Sequence, residues 1–254
     1  DFNSGFEIFY FYTLLFLIGS ILMRSAGCIV NDIVDKNFDK KVERTKNRPI
    51  ASDKVSIKLG IIYSLGLCGL AFLVLINFNK FTILMALLSM PLAFTYPLMK
   101  RFTYWPQLFL GITFNYGLVL AWISVNNNIS ALPIIFYFGA IFWTLGYDTI
   151  YGYQDIKDDE IIGVKSTSIK FKNNAKLFIA LCYTIFFISL IIVGFYMNFK
   201  LIYFISLIIT FMHIFVYQIK NLNIIDPNKC LKKFKSNNFL GLIVFLNILI
   251  GKII

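Results

Sequence analysis

Two acidic stretches interrupt a chain that is otherwise mostly apolar, and the first follows directly on the apolar run 8–30. It contains Asn31, Asp32, Asp35 and Asp39. At about 100° per residue, positions 31, 35 and 39 advance by about 40° each, and position 32 falls close to 39. A helix that continues through this stretch therefore projects three carboxylates and one carboxamide into one arc. Carboxylates this close repel one another, and a bound cation removes that repulsion.

The second stretch runs from Asp148 to Glu160 and also holds Asp155, Asp158 and Asp159. Separations of seven and four residues predict that Asp148, Asp155 and Asp159 lie within about 40° on one helix face. Three aromatic residues flank Asp148, so we expect it inside a helix bundle, where an ionisable group indicates a functional site. An acidic helix end in water is the ordinary alternative, and it explains one such stretch better than two.

Paired acids beside lysines and arginines indicate a particular class of ligand. Mg²⁺ prefers oxygen ligands and usually takes one or two carboxylates together with substrate phosphates. Two acidic helix ends near Lys and Arg would suit a Mg²⁺-bound polyphosphate, and a surrounding apolar bundle could hold a long hydrocarbon. The pattern therefore predicts binding of a prenyl diphosphate. Loss of the diphosphate would leave an allylic carbocation, which aromatic rings can stabilise and from which water must be excluded.

Membrane helices must position these acids, because the composition leaves room for little else. Of the 254 residues, 58% are hydrophobic and only 15% are charged, and the mean hydropathy is +0.74. About 20 apolar residues span a bilayer as a helix. The sequence thus predicts an all-α, polytopic transmembrane helix bundle that forms a single domain over 1–254. The eight predicted spans are 6–30, 57–77, 81–99, 105–125, 131–150, 175–197, 200–219 and 238–254.

The net charge of +11 is unevenly placed along the chain. Twenty of the 24 lysines and arginines fall in the first, third, fifth and seventh connections between the predicted helices, which all lie on one side. This is the positive-inside pattern, so that side should face a cytoplasm or an organelle matrix, and both acidic stretches lie on it. The distribution favours a solvated membrane surface and argues against nucleic-acid binding.

The two acidic stretches resemble the paired Asp-rich motifs of the UbiA family of intramembrane prenyltransferases. The matching patterns are Asn31-Asp32-x-x-Asp35-x-x-x-Asp39 and Tyr147-Asp148-Thr149-x-x-Gly152-Tyr153-Gln154-Asp155-x-x-Asp158-Asp159. Four further segments are similar to the branch of the family that prenylates 4-hydroxybenzoate, and these are 24–28, 44–49, 96–101 and 163–167. The resemblance covers nearly the whole chain.

This resemblance implies Mg²⁺-dependent transfer of a polyprenyl group from polyprenyl diphosphate to the ring of 4-hydroxybenzoate, ortho to the hydroxyl, in ubiquinone biosynthesis. It also implies an integral protein of the bacterial or mitochondrial inner membrane, surrounded by lipid bilayer. The family has nine transmembrane helices, and the first carries an Arg/Asp-Lys-Pro motif near the active site. This chain has eight and begins where the second would, so we expect it to be N-terminally incomplete.

The family's site residues carry over onto the matching positions of this sequence. The implied magnesium ligands are Asn31, Asp35, Asp39, Asp155 and Asp159. The four aspartates among them, together with Arg101, are implied to be catalytic. Lys100 and Arg101 would contact the diphosphate or the aromatic acid, and Tyr96 and Asp148 would line the cavity. The remaining implied substrate contacts are Asn31, Asp32, Arg44, Arg48 and Lys165; for the last three, phosphate or lipid-headgroup contacts at helix ends are an equal explanation.

Two other readings of the sequence remain open. A related prenyltransferase could use another acceptor, such as a naphthoate, homogentisate or haem. A membrane transporter with acidic coordinating sites is the alternative from a different class, and it should show an inverted repeat with acids near the bilayer midplane. Here the two acidic stretches lie at helix ends on the same side and recur at a four-helix interval, which keeps the same orientation. The pattern therefore favours the enzyme.

Overall fold

A computed structural model describes residues 2–253, with side chains from Glu7 to Lys252. The described residues form helices and turns and contain no strand. The twelve α-helices are α1 Phe2–Asp39, α2 Ile57–Leu75, α3 Lys80–Thr95, α4 Met99–Phe102, α5 Pro106–Phe114, α6 Tyr116–Asn126, α7 Ala131–Gly152, α8 Ile156–Ile162, α9 Thr167–Lys170, α10 Ala175–Tyr196, α11 Leu201–Phe211 and α12 Pro227–Ile253. Two 3₁₀ turns, Tyr96–Leu98 and Lys172–Asn174, and a π-helix, Met212–Lys220, complete the set.

Eight helical spans within the described residues are long and apolar enough to cross a membrane, which confirms the all-α transmembrane prediction. They are Glu7–Asp39, Ile57–Leu75, Lys80–Phe102, Pro106–Asn126, Ala131–Gly152, Lys172–Tyr196, Leu201–Lys220 and Pro227–Lys252. The protein is therefore an integral membrane protein.

The last helix begins 11 residues before the predicted boundary at 238. Pro227 suits the first helical position because it has no N–H to satisfy there. The Asp226 carboxylate accepts the N–H groups of Asn228 and Lys229, both at 3.1 Å. The Lys229 N–H lowers the pKa of Asp226 below its ordinary value. The predicted boundary was wrong because residues 228–237 are rich in Lys, Asn and Ser, so the apolar pattern did not reveal that the helix already begins at Pro227.

A break at Asn115 divides the fourth span into α5 and α6. The Asn115 side-chain amide donates to the carbonyl oxygen of Gly111 at 2.8 Å and to the Thr144 hydroxyl at 2.7 Å. Irregular backbone at membrane depth is tolerated where protein groups satisfy the polar atoms. The amide of Asn115 therefore stabilises the break by joining it to α7.

The described chain divides into two compact units. The first comprises the chain up to Leu98 together with Val119–Ile129, and the second comprises Met99–Leu118 together with the chain from Ser130 onward. In the first unit α1 packs on α2. Ala26 is completely buried, and a Cβ on Gly60 would lie 3.2 Å from the side chains of Ile33 and Ile50. Small residues thus allow α1 and α2 to approach closely, as expected in membranes.

In the second unit, the packing of α7 on α10 forms much of the core. Gly139 and Gly146, two turns apart on α7, both face α10. A Cβ on Gly139 would overlap the Ser189 side chain, and one on Gly146 would lie 2.5 Å from the ring of Tyr183. Tyr183 is completely buried and donates to Gln218 at 2.6 Å. These glycines fix α7, and hence the second acidic stretch at its end, against the core.

Candidate active site

The first acidic stretch lies on the last turns of α1, which continues through Asp39 as the spacing predicts. Asp35 and Asp39 are buried, at 3% and 6% exposure, while Asn31 and Asp32 are partly buried. Burying a carboxylate costs free energy unless it is hydrogen-bonded, paired or bound to a metal. The concentration of acids at this helix end therefore requires positive charge nearby.

Arg48 supplies part of that charge from the loop after α1. Its Nη1 lies 2.9 Å from Asp32 Oδ1 and 3.0 Å from Asp39 Oδ2. One guanidinium thus bridges two carboxylates that lie seven residues apart on the helix. The predicted role of Arg48 as a phosphate contact stays a prediction. What the structure adds is that Arg48 orients two acids of the first stretch.

A second pair of contacts holds the same loop to α1 through Asp53. Its carboxylate lies 2.6 Å from Lys36 Nζ and 2.7 Å from Lys40 Nζ. Hydrogen bonds from these two lysines lower the pKa of Asp53 to about 2. Because the pKa is lowered, these ion pairs are complete above pH 4 or so and are lost as the pH falls through about 2. The sequence did not single out Asp53, because it lies 13 residues beyond Lys40 and no local pattern links the two.

The second acidic stretch differs from its prediction. Asp148 lies on α7, but α7 ends at Gly152, so Asp155 and Asp159 are not on the same helix face as Asp148. At the end of α7 the backbone bonds change to partners three residues back, with the Tyr153 N–H donating to Ile150 O at 3.3 Å and the Gln154 N–H donating to Tyr151 O at 3.1 Å. Asp155 precedes the first residue of the short helix α8, and Asp159 lies in its first turn. The prediction of one continuous face was wrong because it assumed that the helix did not end.

Helix α8 is closed by Gly163, whose φ of 80° favours glycine. The N–H groups of Gly163 and Val164 both donate to Asp159 O at 3.0 Å. The chain then leads through Lys165 to Ser166, whose hydroxyl accepts the Ile169 N–H and caps α9. Segment 163–167, one of the four that resemble the family, therefore forms a turn and the start of a short helix. Asp155, Asp158 and Asp159 are partly buried within this compact turn.

The backbone of α4, the helix that carries Lys100 and Arg101, is hydrogen-bonded to this same segment. The Lys165 backbone N–H donates to Lys100 O at 3.0 Å, and Lys165 Nζ lies 3.3 Å from Phe102 O. Lys100 is partly buried and Arg101 is exposed. Within the second unit, these bonds hold Lys165, five residues after the last acid of the second stretch, to α4, the helix that carries Lys100 and Arg101. In the first unit, Tyr96 is partly buried at a 3₁₀ turn and Arg44 is exposed on the loop after α1.

The acidic residues suit magnesium by the chemistry of their donor atoms. Among the side chains between Glu7 and Lys252, no three of His, Cys, Asp or Glu lie close enough to hold a metal alone. Mg²⁺ does not require such a cage, because it usually binds one or two carboxylates and completes its shell with water and substrate phosphates. Asp35 and Asp39, one turn apart at a helix end, provide the hard oxygen donors that such a site uses.

The fold and the two acidic stretches are those of an integral membrane helix bundle with oxygen donors suited to a divalent cation, and comparison with known proteins gives the family. The chain belongs to the UbiA prenyltransferase family, whose model matches residues 3–248. It is 42% identical over 242 residues to the mitochondrial 4-hydroxybenzoate polyprenyltransferase of Bos taurus, covering 94% of this chain and 64% of that protein. The chain thus spans a little under two thirds of the length of this relative.

Solved structures show the same fold. A UbiA homologue from Aeropyrum pernix superposes with a TM-score of 0.81 at 22% identity, covering 94% of this chain and 89% of its own. Another, from Archaeoglobus fulgidus bound to GPP and Mg²⁺, gives 0.68 at 18% identity, covering 96% and 88%.

Proposed function

We propose that the protein transfers a polyprenyl group from polyprenyl diphosphate to the ring carbon of 4-hydroxybenzoate ortho to the hydroxyl, with Mg²⁺ as cofactor. The observation that carries this proposal is the 42% identity, over 94% of the chain, to a relative named for that activity. Because the chain spans 64% of that relative, the proposal concerns the whole protein. The Mg²⁺ and GPP bound to the Archaeoglobus homologue support the choice of cofactor and donor class.

In this proposal both acidic stretches serve one bound diphosphate. Asn31, Asp35 and Asp39 would hold Mg²⁺ together with Asp155 and Asp159. Mg²⁺, when bound, would neutralise charge on the departing diphosphate. Lys100 and Arg101 would place further positive charge against the diphosphate oxygens, where charge develops as the bond breaks. Arg48 would hold Asp32 and Asp39 in place, as its distances of 2.9 and 3.0 Å allow.

The reaction breaks the bond between the allylic carbon and the diphosphate oxygen, and the oxygen keeps the electron pair. The ring carbon of the acceptor gives an electron pair to the allylic carbon to form the new bond. The proton on that ring carbon then passes to a base, and the ring regains its aromaticity. The allylic cation needs electron-rich surroundings, and aromatic rings provide them. Aromatic side chains around Asp148 are suited to this role: Tyr151 and Tyr147 of α7 lie 4.4 and 5.7 Å from the ring of Phe234.

The excess of lysine and arginine in alternate connections supports an orientation with the acidic stretches on the cytoplasmic or matrix side. The mitochondrial relatives and the predicted pathway suit a bacterial or mitochondrial inner membrane. Polyprenyl diphosphate would then enter from the bilayer that surrounds the helices.

An acceptor panel tests the proposal. Membranes carrying the full-length protein, labelled geranyl diphosphate and Mg²⁺ should transfer label to 4-hydroxybenzoate at least about tenfold faster than to a dihydroxynaphthoate or homogentisate, since a matched polar acceptor can gain more than 1.4 kcal/mol of discrimination. Membranes lacking the protein are the control. Faster transfer to either of the other acceptors would replace 4-hydroxybenzoate in the proposal while keeping the reaction class.

A further inference from the structure

A buried group of hydroxyl and amide side chains lies where α5, α7 and α9 meet, next to the second acidic stretch. We call it the hydroxyl cluster, and its members are Gln107, Thr149, Thr167 and Ser168. Thr149, Thr167 and Ser168 are completely buried, and Gln107 is 7% exposed. Such groups are stable away from water only when their polar atoms find partners.

Each partner can be identified, including the direction of the shared hydroxyl bond. Thr149 Oγ1 lies 2.6 Å from Leu145 O, which can only accept, so the Thr149 hydroxyl donates there. The Thr167 hydroxyl, 2.7 Å from Thr149 Oγ1, must then be the donor in their mutual bond. The Ser168 hydroxyl donates to Thr149 O at 2.8 Å. Thr149 of α7 therefore receives two hydrogen bonds from α9.

Gln107 extends the cluster to α5. Its side-chain oxygen accepts the backbone N–H of Thr167 at 3.0 Å. Gly152 permits this close approach, because a Cβ there would overlap the Ser168 hydroxyl and lie 3.6 Å from Gln107 Nε2. Three elements, α5, α7 and α9, are thus joined at one buried point.

The cluster fixes both ends of the segment 153–166, which carries Asp155, Asp158 and Asp159. Thr149 and Gly152 lie just before the N-terminal end of the segment, and Thr167 lies just after its C-terminal end. Lys165, two residues before Thr167, donates its backbone N–H to Lys100 O. Gln107 lies in the first turn of α5, only five residues beyond the end of α4 at Phe102. The basic residues of α4 are consequently tied to the same buried point as the acids.

We propose that the hydroxyl cluster is a positioning device that sets the second acidic stretch and the cations of α4 at a fixed spacing for the diphosphate of the donor. None of its members touches the reacting atoms in this proposal, which rests on the proposed function for the identity of the ligand. The cluster acts by restricting the motion of the 153–166 backbone, so its loss should weaken donor binding.

Thr149→Val tests the proposal, because valine keeps the shape of the side chain but removes the hydroxyl that donates to Leu145 O and accepts from Thr167. Thr149→Ser keeps that hydroxyl. Thr113→Val is the matched control, since the Thr113 hydroxyl makes the same bond to a carbonyl one turn back, Phe109 O at 2.9 Å, away from the cluster. In the full-length protein without substrate, Thr149→Val should raise amide hydrogen exchange of 153–166 about tenfold, whereas Thr149→Ser and Thr113→Val should leave it unchanged.

Binding of geranyl diphosphate with Mg²⁺, measured without an acceptor, gives the second readout. The dissociation constant should rise about tenfold in Thr149→Val and recover in Thr149→Ser. Ser168→Ala should also raise the exchange of 153–166 and the dissociation constant, by smaller factors. This variant replaces Thr149→Val in the test if Thr149→Val does not fold. Unchanged exchange in 153–166, or looser exchange with unchanged donor binding, would overturn the proposal. Failure of the wild-type protein to bind the donor would instead refute the proposed function, because exchange is measured without any ligand.

Discussion

Replacing Asp35 or Asp155 by asparagine is expected to lower prenyl transfer about 10³-fold or more. The amide keeps the size and one oxygen of the carboxylate but removes the charge that holds Mg²⁺. A single lost contact to developing charge already costs about 10²–10³-fold in enzymes. Here the loss would also remove a ligand of the metal that neutralises the leaving group. Initial rates with labelled donor and 4-hydroxybenzoate measure the effect.

Two glutamates beside the same stretches provide the controls. Glu43→Gln and Glu160→Gln each remove one acid whose ion pair lies at the surface, with Lys46 and with Lys172. Such pairs contribute little, so both variants should retain rates within about twofold of wild type. The amount of each variant inserted in the membrane must match wild type for the comparison to stand. Substantial transfer by Asp35→Asn or Asp155→Asn would refute the assignment of that residue to the metal.

Arg48→Met is expected to lower transfer about 10- to 100-fold. Arg48 bridges Asp32 and Asp39, and methionine would leave both carboxylates without the guanidinium they share. Hydrogen bonds to charged groups are worth about 1.5–3 kcal/mol, which corresponds to this range of rates. Arg48→Lys should recover part of the rate, because both contacts are made by the single nitrogen Nη1, whose charge an ammonium can supply without the fixed geometry of the guanidinium.

Lys46→Met on the same loop is the matched control, since Lys46 is exposed and pairs with the surface residue Glu43. It should behave as wild type. Limited proteolysis of the loop 40–56 gives an independent measure, and Arg48→Met should be cut faster because the contacts of Arg48 with Asp32 and Asp39 of α1 are lost. A rate equal to wild type in Arg48→Met would show that the bridge has no part in the reaction.

Sequence reasoning predicted the spans and the acidic stretches better than the turns between them. The continuation of α1 through Asp39 followed from helical periodicity, because the polar residues share one arc. The placement of Asp148, Asp155 and Asp159 on one face failed, since nothing in the periodicity revealed that the backbone bonds after Gly152 change to partners three residues back and end α7. Periodicity predicts which residues share a face while the helix continues. It does not predict the residue at which the helix ends.

Long-range contacts were the other missing part. Nothing in the sequence pairs Arg48 with Asp32, or Thr167 with Gln107, 60 residues away. Buried hydroxyls such as Thr149 and Ser168 look like ordinary helix residues in a linear sequence. Only the folded chain shows that they meet, because their partners come from helices that approach each other through packing rather than through a local pattern.

A structure of the full-length protein with Mg²⁺ and a non-hydrolysable prenyl thiodiphosphate would test whether the two acidic stretches bind one diphosphate. We expect carboxylate oxygens of Asp35 and Asp155 both to lie about 2.0–2.1 Å from Mg²⁺ ions bound to the same diphosphate. Asp35 and Asp155 on opposite membrane faces, or bound to separate ligands, would contradict it.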